Sequence, residues 1–434
     1  MVLFFKKELL PSGPSFLNAS FSITRLDSDG DGVTAEGIHV PRTLPGEHIR
    51  ATKQTAHRAT CDELLLASAD RIAPACPHFA PHFALCGGCA VQHMADAAYV
   101  VWKRGLVESA LSRAGFDESI LGPLVRTAPG TRRRMDFGAR RVPGGVVLGL
   151  HQAHGGTLVD IHVCPVLHAD LVRLLDPLRG LLKSLSSLRA SCDVVVNLLP
   201  GGPDLLLRLD AEPNASDRAK LAAFAQANGI LRIAYAVGKG TPEPAAQWGA
   251  PEISFAGTTV SPPPGAFLQA SAAGEAAIVS AVLEGLPRKL TGRARIVELF
   301  AGVGTLSFPM AERARVCAFE GDGAASGALR RAAGGTRVQA VQRDLMRQPL
   351  QPAELAGAAA VVLDPPYAGA GAQMAPLAQS GVPVIIYVSC NPGALARDTA
   401  MLRDRKYILT QATAIDQFLW SAGVESVCVF GLRK

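Results

Sequence analysis

The chain has 434 residues, of which 48% are hydrophobic and 18% are charged, with a formal net charge of +6 at pH 7. This length exceeds what one compact core usually holds, and the composition excludes long disordered regions, so two or three globular domains are expected. No apolar run approaches the roughly 20 residues that span a bilayer, which predicts a cytoplasmic protein with no membrane partner. The basic balance suits a polyanionic partner such as RNA.

Residues 16–66 are predicted to form a small β-barrel. The segments 21–26 and 37–41 alternate apolar and polar residues with the period of a strand, and the turn-forming residues 27–32 lie between them. Barrels of this size often bind nucleic acid.

Residues 67–261 are predicted to form an α+β domain that contains most of the cysteines. Residues 99–115 have the pattern of an amphipathic helix that ends at glycine, and the strands on either side of 200–203 predict a hairpin. The run Arg132–Arg134 carries the densest positive charge, which favours a grip on RNA phosphates over a solvated strand edge.

Residues 262–434 are predicted to form a doubly wound, mainly parallel sheet of the Rossmann-like kind. Buried-strand runs alternate with helical stretches at 295–300, 316–320, 359–364 and 384–389. The whole chain is therefore expected to be a multidomain α/β protein with three parts.

A glycine-containing loop, Glu298–Thr305, follows the first strand of the last domain and opens a helix. Its glycines let the backbone approach a ligand at the helix N-terminus. Acidic residues follow the next three strands, where ligands of open α/β sheets bind: Glu320, suited to ribose hydroxyls, Asp344, suited to an adenine edge, and Asp364. Because the third glycine of the dinucleotide pattern G-x-G-x-x-G is absent, S-adenosylmethionine is predicted rather than NAD.

Two motifs near this loop predict different reactions. Asp364–Tyr367 reads Asp-Pro-Pro-Tyr, a sequence of the type used in amino-group methylation. Ser389–Pro392 reads Ser-Cys-Asn-Pro and puts Cys390 directly after a buried strand, where a thiol is either a small core residue or an exposed nucleophile. The polar Asn-Pro turn favours exposure.

A thiolate has a clear use at this position. Uracil C5 is too weak a nucleophile to attack a sulfonium methyl unaided, but adding a thiolate to C6 gives C5 carbanion character. A base must then remove the C5 proton before the thiolate leaves. Cys390 is the candidate nucleophile and Glu425 the candidate base.

Together these residues resemble the family of RNA 5-methyluridine methyltransferases, which includes bacterial enzymes of 23S ribosomal RNA and of transfer RNA. The resemblance covers almost the whole chain. Residues 16–66 look like the RNA-binding TRAM domain of this family. Phe267–Gln269 is similar to the family's F-x-Q-x-N, which implies that Gln269 lies in the pocket for cofactor and substrate.

The resemblance also implies roles for other residues. Cys390 matches the nucleophile of S-C-N-P, and Glu425 matches the base of F-P-x-T-x-H-x-E. The positions that would contact the cofactor are Phe300, Thr305, Glu320, Asp344 and Asp364. The protein is expected to be a monomer that acts on RNA. As its substrate, 23S ribosomal RNA is favoured over transfer RNA.

The chain departs from the family pattern at four positions, which are Ser271, Tyr367, Leu419 and Gly423 in place of asparagine, arginine, proline and histidine. These changes affect substrate placement more than the reaction class. They also leave open two alternatives, an amino-group methyltransferase and a non-catalytic RNA-binding relative.

Four cysteines are candidate metal ligands, namely Cys76, Cys86, Cys89 and Cys164. Four thiolates can bind zinc or an iron–sulfur cluster, and spacing alone does not separate the two. The C-x-x-C pair can also be redox-active, although no thioredoxin-like unit surrounds it.

The resemblance favours a [4Fe–4S] cluster, because the ribosomal RNA branch of the family holds one with C-x5-C-x-x-C and a distant cysteine. Here nine residues separate the first two cysteines, and Pro77–Ala80 is copied at once as Pro81–Ala84. Removing either copy restores the family spacing. Zinc with His78 and His82 as ligands is the alternative.

Overall fold

We describe a computed structural model of the chain that covers residues 18–79, 86–153, 155–291 and 293–433. These residues form two compact units, one of residues up to 73 together with 90–98, the other of residues 74–89 and from 99 onward.

Five strands make up the sheet of the first unit: β1 (Asn18–Leu26), β2 (Gly32–Thr34), β3 (His39–Val40), β4 (His48–Lys53) and β5 (Ala59–Leu66). They pair antiparallel in the order β3-β2-β1-β4-β5. A bridge between His39 and Arg58 joins the two edges of the sheet. The sheet therefore curls until its edges touch, and it encloses a small core around Ile23, Val40 and Ile49.

A seven-stranded sheet occupies the middle of the second unit. Its strands are β7 (Arg134–Val142), β8 (Gly145–His151), β9 (Leu158–Asp160), β10 (Ser191–Leu199), β11 (Gly202–Leu209), β12 (Arg232–Val237) and β13 (Glu243–Gln247). The order is β13-β12-β11-β10-β7-β8-β9, in which only β11 and β12 run parallel. Two helices contribute to its core, α2 (Ala169–Ser184) and α3 (Ala215–Ala227). The predicted hairpin at 200–203 is the β10–β11 connection.

The last sheet has eight strands. They are β6 (Val125–Arg126), β16 (Arg295–Leu299), β17 (Arg315–Glu320), β18 (Val338–Gln342), β19 (Ala360–Leu363), β20 (Val384–Ser389), β21 (Tyr407–Asp416) and β22 (Glu425–Leu432). The order is β18-β17-β16-β19-β20-β22-β21-β6. All neighbours run parallel except β22, which is antiparallel to both β20 and β21. A separate hairpin, β14 (Ile253–Phe255) and β15 (Thr258–Val260), precedes this sheet in the chain.

Helices cover both faces of this sheet because successive strand residues point to opposite sides. On β16, Ile296 faces one core with α4 (Ala272–Gly285), α5 (Ser307–Ala311) and α6 (Gly323–Ala332). Its neighbour Val297 faces the other core with α7 (Pro352–Leu355), α8 (Met374–Gln379) and α9 (Pro392–Arg403). The doubly wound architecture that the sequence predicts for 262–434 is confirmed.

Helix α1 (Asp96–Arg113) contributes to the second of these cores although it precedes the seven-stranded sheet in the chain. Leu106, Val107 and Leu111 are buried there with residues of α9 and β21. In the part of the chain that the structure describes, no helix combines the length and apolar character needed to traverse a bilayer.

A buried ion pair fixes α1 to the end of β21. Lys103 and Asp416 are both fully buried, and 3.1 Å separates Lys103 Nζ from Asp416 Oδ1. Lys103 Nζ also donates to the carbonyls of Phe418 and Ser421, at 3.0 and 2.8 Å. The hydroxyl of Tyr99 donates to Asp416 Oδ2 at 2.5 Å. Residues 416–421 are therefore held by side chains that come from α1.

Glu298 is a buried carboxyl at the end of β16. It accepts a hydrogen bond from the Ser307 hydroxyl at the start of α5. Burial, together with the negative charges of Asp364 and Glu320, raises the pKa of Glu298 to about 8. The carboxyl is therefore protonated in the folded protein at neutral pH.

This pKa predicts a stability that falls with rising pH. Between the ordinary value of 4.5 and about 8, the unfolded chain loses the Glu298 proton while the folded protein keeps it, so folding loses free energy across this window. We expect Glu298→Gln to gain up to a few kcal/mol relative to the native chain between pH 5 and pH 8. Urea unfolding at both pH values measures this, with the exposed Glu312→Gln as control. The absence of a relative gain for Glu298→Gln over the same interval would show that Glu298 is ionised in the fold.

Candidate active site

A cavity of about 650 Å³ lies at the carboxyl ends of β16 to β19. Among the residues that line it are Phe300, Gly302, Glu320, Asp344 and Asp364, which follow or end these four strands. This is the edge at which open α/β sheets bind ligands. The structure thus brings together most of the residues that the sequence predicts for a cofactor site.

The glycine loop after β16 turns sharply against the end of β17. Phe300 has a left-handed backbone with φ of 62°, and Gly302 and Gly304 also have positive φ. The amide of Gly302 donates to Glu320 Oε2 at 2.7 Å. A Cβ on Gly304 would lie 2.5 Å from the ring of Phe308, so only glycine fits there.

The two acidic residues beyond β17 and β18 are held by backbone amides. Glu320 Oε1 accepts from the amide of Asp322 at 2.7 Å, and Asp344 Oδ1 accepts from Met346 at 3.0 Å. Each carboxylate oxygen has a second lone pair, so both groups can still accept hydrogen bonds from a ligand. Thr305 is half-buried in the glycine loop just before α5 but does not line the cavity.

The register of β20 and β22 brings Cys390 beside Glu425. Ser389, the last residue of β20, pairs with Ser426, and the Ser426 hydroxyl donates to the Ser389 carbonyl at 3.2 Å. The next position along each strand is therefore Cys390 on one side and Glu425 on the other. Cys390 is half-buried and Glu425 is buried.

A chain of hydrogen bonds joins Glu425 to the cavity. Asp364 Oδ2 accepts from the Gln269 amide at 3.2 Å, and Gln269 Oε1 accepts from Gln417 Nε2 at 2.8 Å. The same Gln417 nitrogen donates to Glu425 Oε2 at 2.8 Å. Glu425 Oε1 is buried and has no hydrogen-bond partner among the residues that the structure describes. We call Asp364, Gln269, Gln417 and Glu425 the carboxyl–amide chain.

Burial and mutual repulsion favour the neutral forms of the titratable groups here. Burial raises the pKa of both Asp364 and Glu425, and the charge of Asp364 raises that of Glu425 further. Burial, with the charges of Glu425 and Asp364, raises the pKa of the Cys390 thiol to about 12. The effects of these charges on one another's pKa values require Asp364, Glu425 and Cys390 to lie close together.

The two competing sequence motifs contact each other. The side-chain amide of Asn391 donates to the backbone carbonyl of Tyr367 at 2.9 Å, and its oxygen caps α9 by accepting from Gly393 at 2.9 Å. The Tyr367 side chain is 70% exposed and lies outside the carboxyl–amide chain. The Asp-Pro-Pro-Tyr segment therefore borders the thiol segment.

The arginine run makes contacts within the protein that the sequence did not indicate. Arg133 pairs with Glu275 at 2.6 Å, and its Nε donates to the Gln269 carbonyl at 3.2 Å. Arg134 pairs with Asp136 at 3.0 Å. Arg133 therefore braces the segment that carries Gln269, and the contact of the arginine run with RNA phosphates stays a prediction.

Gln417 is the residue of this site that sequence reasoning missed. It lies between Asp416 and Phe418, just before the segment that resembles the family's base motif. A glutamine at the end of a strand is most often solvated, so only the fold reveals that this one is buried.

The segments that carry the four candidate metal cysteines converge beside the seven-stranded sheet. The amide of Cys86 donates to the His78 carbonyl at 3.1 Å, and 3.7 Å separates His78 Nδ1 from Cys76 Sγ. Cys86 and Cys164 both pack against the core of that sheet. Burial lowers the pKa of the Arg132 guanidinium, and the proximity of Cys164 and Cys89 opposes that shift.

In the described residues, the side chains of the four cysteines are not gathered into a metal site. Among the residues that the structure covers, no three histidine, cysteine, aspartate or glutamate side chains are grouped so that they could hold a metal ion. The second Pro-His-Phe-Ala copy, with His82, lies within 80–85, outside the described residues.

Comparisons with known proteins agree with this geometry. The family model described as tRNA (uracil-5-)-methyltransferase matches residues 339–433. An uncharacterized RNA methyltransferase of Brucella suis is 40% identical over 416 residues, 94% of this chain and 96% of that protein. The 23S rRNA (uracil(1939)-C(5))-methyltransferase RlmD of Halomonas elongata is 33% identical over 426 residues, 92% of this chain and 85% of its own length.

A solved structure shares the fold. The Pyrococcus abyssi tRNA (uracil-54, C5)-methyltransferase, solved in complex with S-adenosyl-L-homocysteine, matches with a TM-score of 0.71 at 22% identity, covering 95% of this chain and 100% of that one. With the relatives above, which align over nearly the full length, this match leads to one assignment: the chain belongs to the family of RNA 5-methyluridine methyltransferases and is an RNA (uracil-5-)-methyltransferase.

Proposed function

We propose that the chain transfers a methyl group from S-adenosylmethionine to C5 of a uridine in 23S ribosomal RNA, through a covalent adduct between Cys390 and C6. The observation that carries this proposal is the register of β20 and β22, which sets a thiol beside a buried carboxyl at the edge of the cavity. Amino-group methylation uses neither group. A nucleophile and a base within reach of one pyrimidine ring are what C5 methylation needs.

In the proposed reaction, the Cys390 thiolate adds to C6 of the uracil and C5 takes the methyl group. Glu425 then accepts the C5 proton on Oε1, the oxygen to which no described residue donates a hydrogen bond. The electron pair of the C5–H bond re-forms the C5–C6 double bond, and the C6–S bond breaks to return the thiolate. Glu425 must be ionised to act, although burial raises its pKa.

Cys390 must lose its proton before it attacks, and its raised pKa opposes this. S-adenosylmethionine supplies an electrophilic methyl on a positively charged sulfonium, and that charge favours the ionised forms of nearby acids. The anionic forms of Cys390 and Asp364 are therefore expected to be stabilised when the cavity is filled.

Six residues are proposed to bind the cofactor. Glu320 and Asp344 keep lone pairs available for ribose hydroxyls and for the adenine edge, respectively. Phe300 and Asp364 line the cavity, Gln269 donates a hydrogen bond to Asp364, and Thr305 belongs to the glycine loop beside the cavity.

The choice of 23S ribosomal RNA rests on the Halomonas elongata relative, whose name specifies a uracil of that RNA. We propose that residues 16–66 form a TRAM-like RNA-binding domain, that 67–261 form a second RNA-binding part, and that 262–434 carry the chemistry. The net charge of +6 and the curled five-stranded sheet support this division. We also propose that the protein acts as a monomer.

A [4Fe–4S] cluster on Cys76, Cys86, Cys89 and Cys164 stays part of the proposal. The convergence of the segments that carry these cysteines supports it. The described residues do not form a set of three ligands, so we assign no step of the reaction to the cluster.

The first prediction concerns the nucleophile. A 23S rRNA transcript that carries no methyl groups and contains 5-fluorouridine in place of uridine should form a covalent adduct with the native chain. The adduct should persist because fluorine cannot leave C5 as a proton does. Cys390→Ala should abolish both adduct and methylation, yet bind S-adenosylmethionine nearly as well by calorimetry. Cys317→Ala, another half-buried cysteine, is the control. Turnover by Cys390→Ala within about tenfold of the native rate would rule out covalent catalysis.

The second prediction concerns the base. Glu425→Gln should still attack C6 and accept the methyl group but fail to remove the C5 proton, so methylated protein–RNA adducts should accumulate on denaturing gels with ordinary 23S rRNA. Glu284→Gln, an exposed carboxyl on α4, is the matched control. Release of methylated RNA by Glu425→Gln at the native rate would show that another group takes the proton.

The third prediction concerns the cluster. Protein purified without oxygen should be brown and contain about four iron atoms per chain, the content of a four-cysteine cubane. Cys86→Ser should lose that iron, and Cys317→Ser should keep it. Stoichiometric zinc without iron would contradict the cluster.

A further inference from the structure

We propose that Gln417 is a positioning residue that holds the base Glu425 and links it to the cofactor pocket. The inference rests on the proposed function, since it assumes that Glu425 removes the C5 proton. It concerns a residue outside the motifs that the sequence shares with the family, and it follows from the contacts of one buried amide.

The Gln417 side chain makes three hydrogen bonds, which use its oxygen and both of its N–H donors. Its oxygen accepts from the backbone amide of Ala270 at 3.1 Å. Its nitrogen donates one hydrogen to Gln269 Oε1 and the other to Glu425 Oε2, both at 2.8 Å. Because the oxygen must face a donor and the nitrogen must face two acceptors, this amide has one satisfied orientation.

The consequence for Glu425 is that its two oxygens become different. Oε2 accepts a hydrogen bond from Gln417, whereas Oε1 is buried and finds no donor in the described part of the chain. A carboxylate with one oxygen fixed cannot rotate freely, so Oε1 keeps a constant direction. A base must be held within hydrogen-bond reach of the proton that it abstracts, and this contact supplies that constraint.

Because position 423 is a glycine in this chain, the hydrogen bond from Gln417 is more important for holding the Glu425 side chain. The segment that resembles the family's base motif has glycine where the family has histidine, so no side chain projects from position 423. A Cβ there would lie 3.3 Å from the Phe418 ring, a tight position for a larger residue. The hydrogen bond that reaches the Glu425 side chain comes instead from Gln417.

The Gln417 backbone is itself anchored. It follows Asp416, whose carboxylate contacts Lys103 and the Tyr99 hydroxyl. The amide and hydroxyl of Thr127 both donate to the Asp416 carbonyl, at 3.2 and 2.8 Å. Side-chain and main-chain contacts therefore fix the point from which the amide extends.

Removing the amide should change how Glu425 titrates. The charged groups that face Glu425 are Asp364 after β19 and Cys390 after β20, while Asp416 on β21 is paired with Lys103. The hydrogen bond from Gln417 lowers the pKa of Glu425, which burial and Asp364 raise. Without it the carboxyl binds its proton more tightly, so a larger fraction is inactive as a base at neutral pH.

The test uses the full chain and an unmodified 23S rRNA transcript labelled with tritium at uridine C5. Gln417→Met keeps the length of the side chain and removes its polar atoms. We expect the rate of tritium release to fall about tenfold at pH 7 and to come within about twofold of the native rate at pH 9. A higher pKa of Glu425 moves the acid limb of the pH–rate profile, where the rate falls with falling pH, upward by about one pH unit. The KM for RNA should stay near the native value, and methylated adduct should accumulate at pH 7.

Gln411→Met, on the same strand β21 and outside the site, is the control. If Gln417→Met does not fold by thermal melting, Gln417→Glu preserves the shape and adds a second negative charge beside Glu425, which should move the acid limb in the same direction. If the acid limb of the pH–rate profile of the Gln417 variant stays at its native position or moves to lower pH, Gln417 is not a positioning residue.

The two proposals fail in different ways. If the native chain forms no adduct with 5-fluorouridine RNA, the covalent mechanism is wrong. If the native chain forms the adduct and Gln417→Met matches Gln411→Met in rate, pH profile and adduct level, the mechanism stands and the inference about Gln417 is wrong.

Discussion

The direction of β22 is the constraint on which the site depends. In a sheet of parallel strands, all carboxyl ends meet at one edge, and the residues that follow them face the same cavity. β22 runs the other way between β20 and β21, so its first residue, rather than its last, lies at that edge. Glu425 begins β22 and Cys390 follows β20, which makes them neighbours. A shift of one residue in this register would turn Glu425 to the opposite face.

The site controls charge by burial and by uncharged dipoles. Asp364, Glu425 and Cys390 all have raised pKa values because ionised groups lose solvation there and repel one another. Gln269 and Gln417 lie between the two carboxyls and satisfy one oxygen of each without adding charge. An electropositive ligand entering this edge meets acids that can ionise in response. Burial thus favours the neutral forms of these three groups, and a cationic ligand at this edge would favour their anionic forms.

The local sequence predicts well which residues lie at strand ends, but it predicts poorly which side chains contact each other there. Buried apolar runs followed by Glu320, Asp344 and Asp364 located the cavity, because the order along the chain and the position at a strand end are linked in a parallel sheet. Gln417 could not be found in this way, since its role depends on residues brought from Gln269 and from β22. The ion pair of Arg133 could not be predicted for a similar reason, because its partner Glu275 lies far away in sequence. The antiparallel insertion of β22 leaves no local signal.

The buried pair of Lys103 and Asp416 explains why α1 belongs to the core of the last sheet. Lys103 is fully buried, and the carbonyls of Phe418 and Ser421 satisfy it together with Asp416. Trp420, between them, has a left-handed φ of 58°, which a bulky residue adopts at a cost of about 1–2 kcal/mol. Its amide donates to Tyr99 at 3.0 Å, so α1 also holds the strained residue. Removing one member of a buried ion pair such as Lys103 and Asp416 costs about 3–5 kcal/mol, which is more than the cost of the strained backbone at Trp420. The loop before Glu425 therefore keeps its conformation as long as α1 is docked.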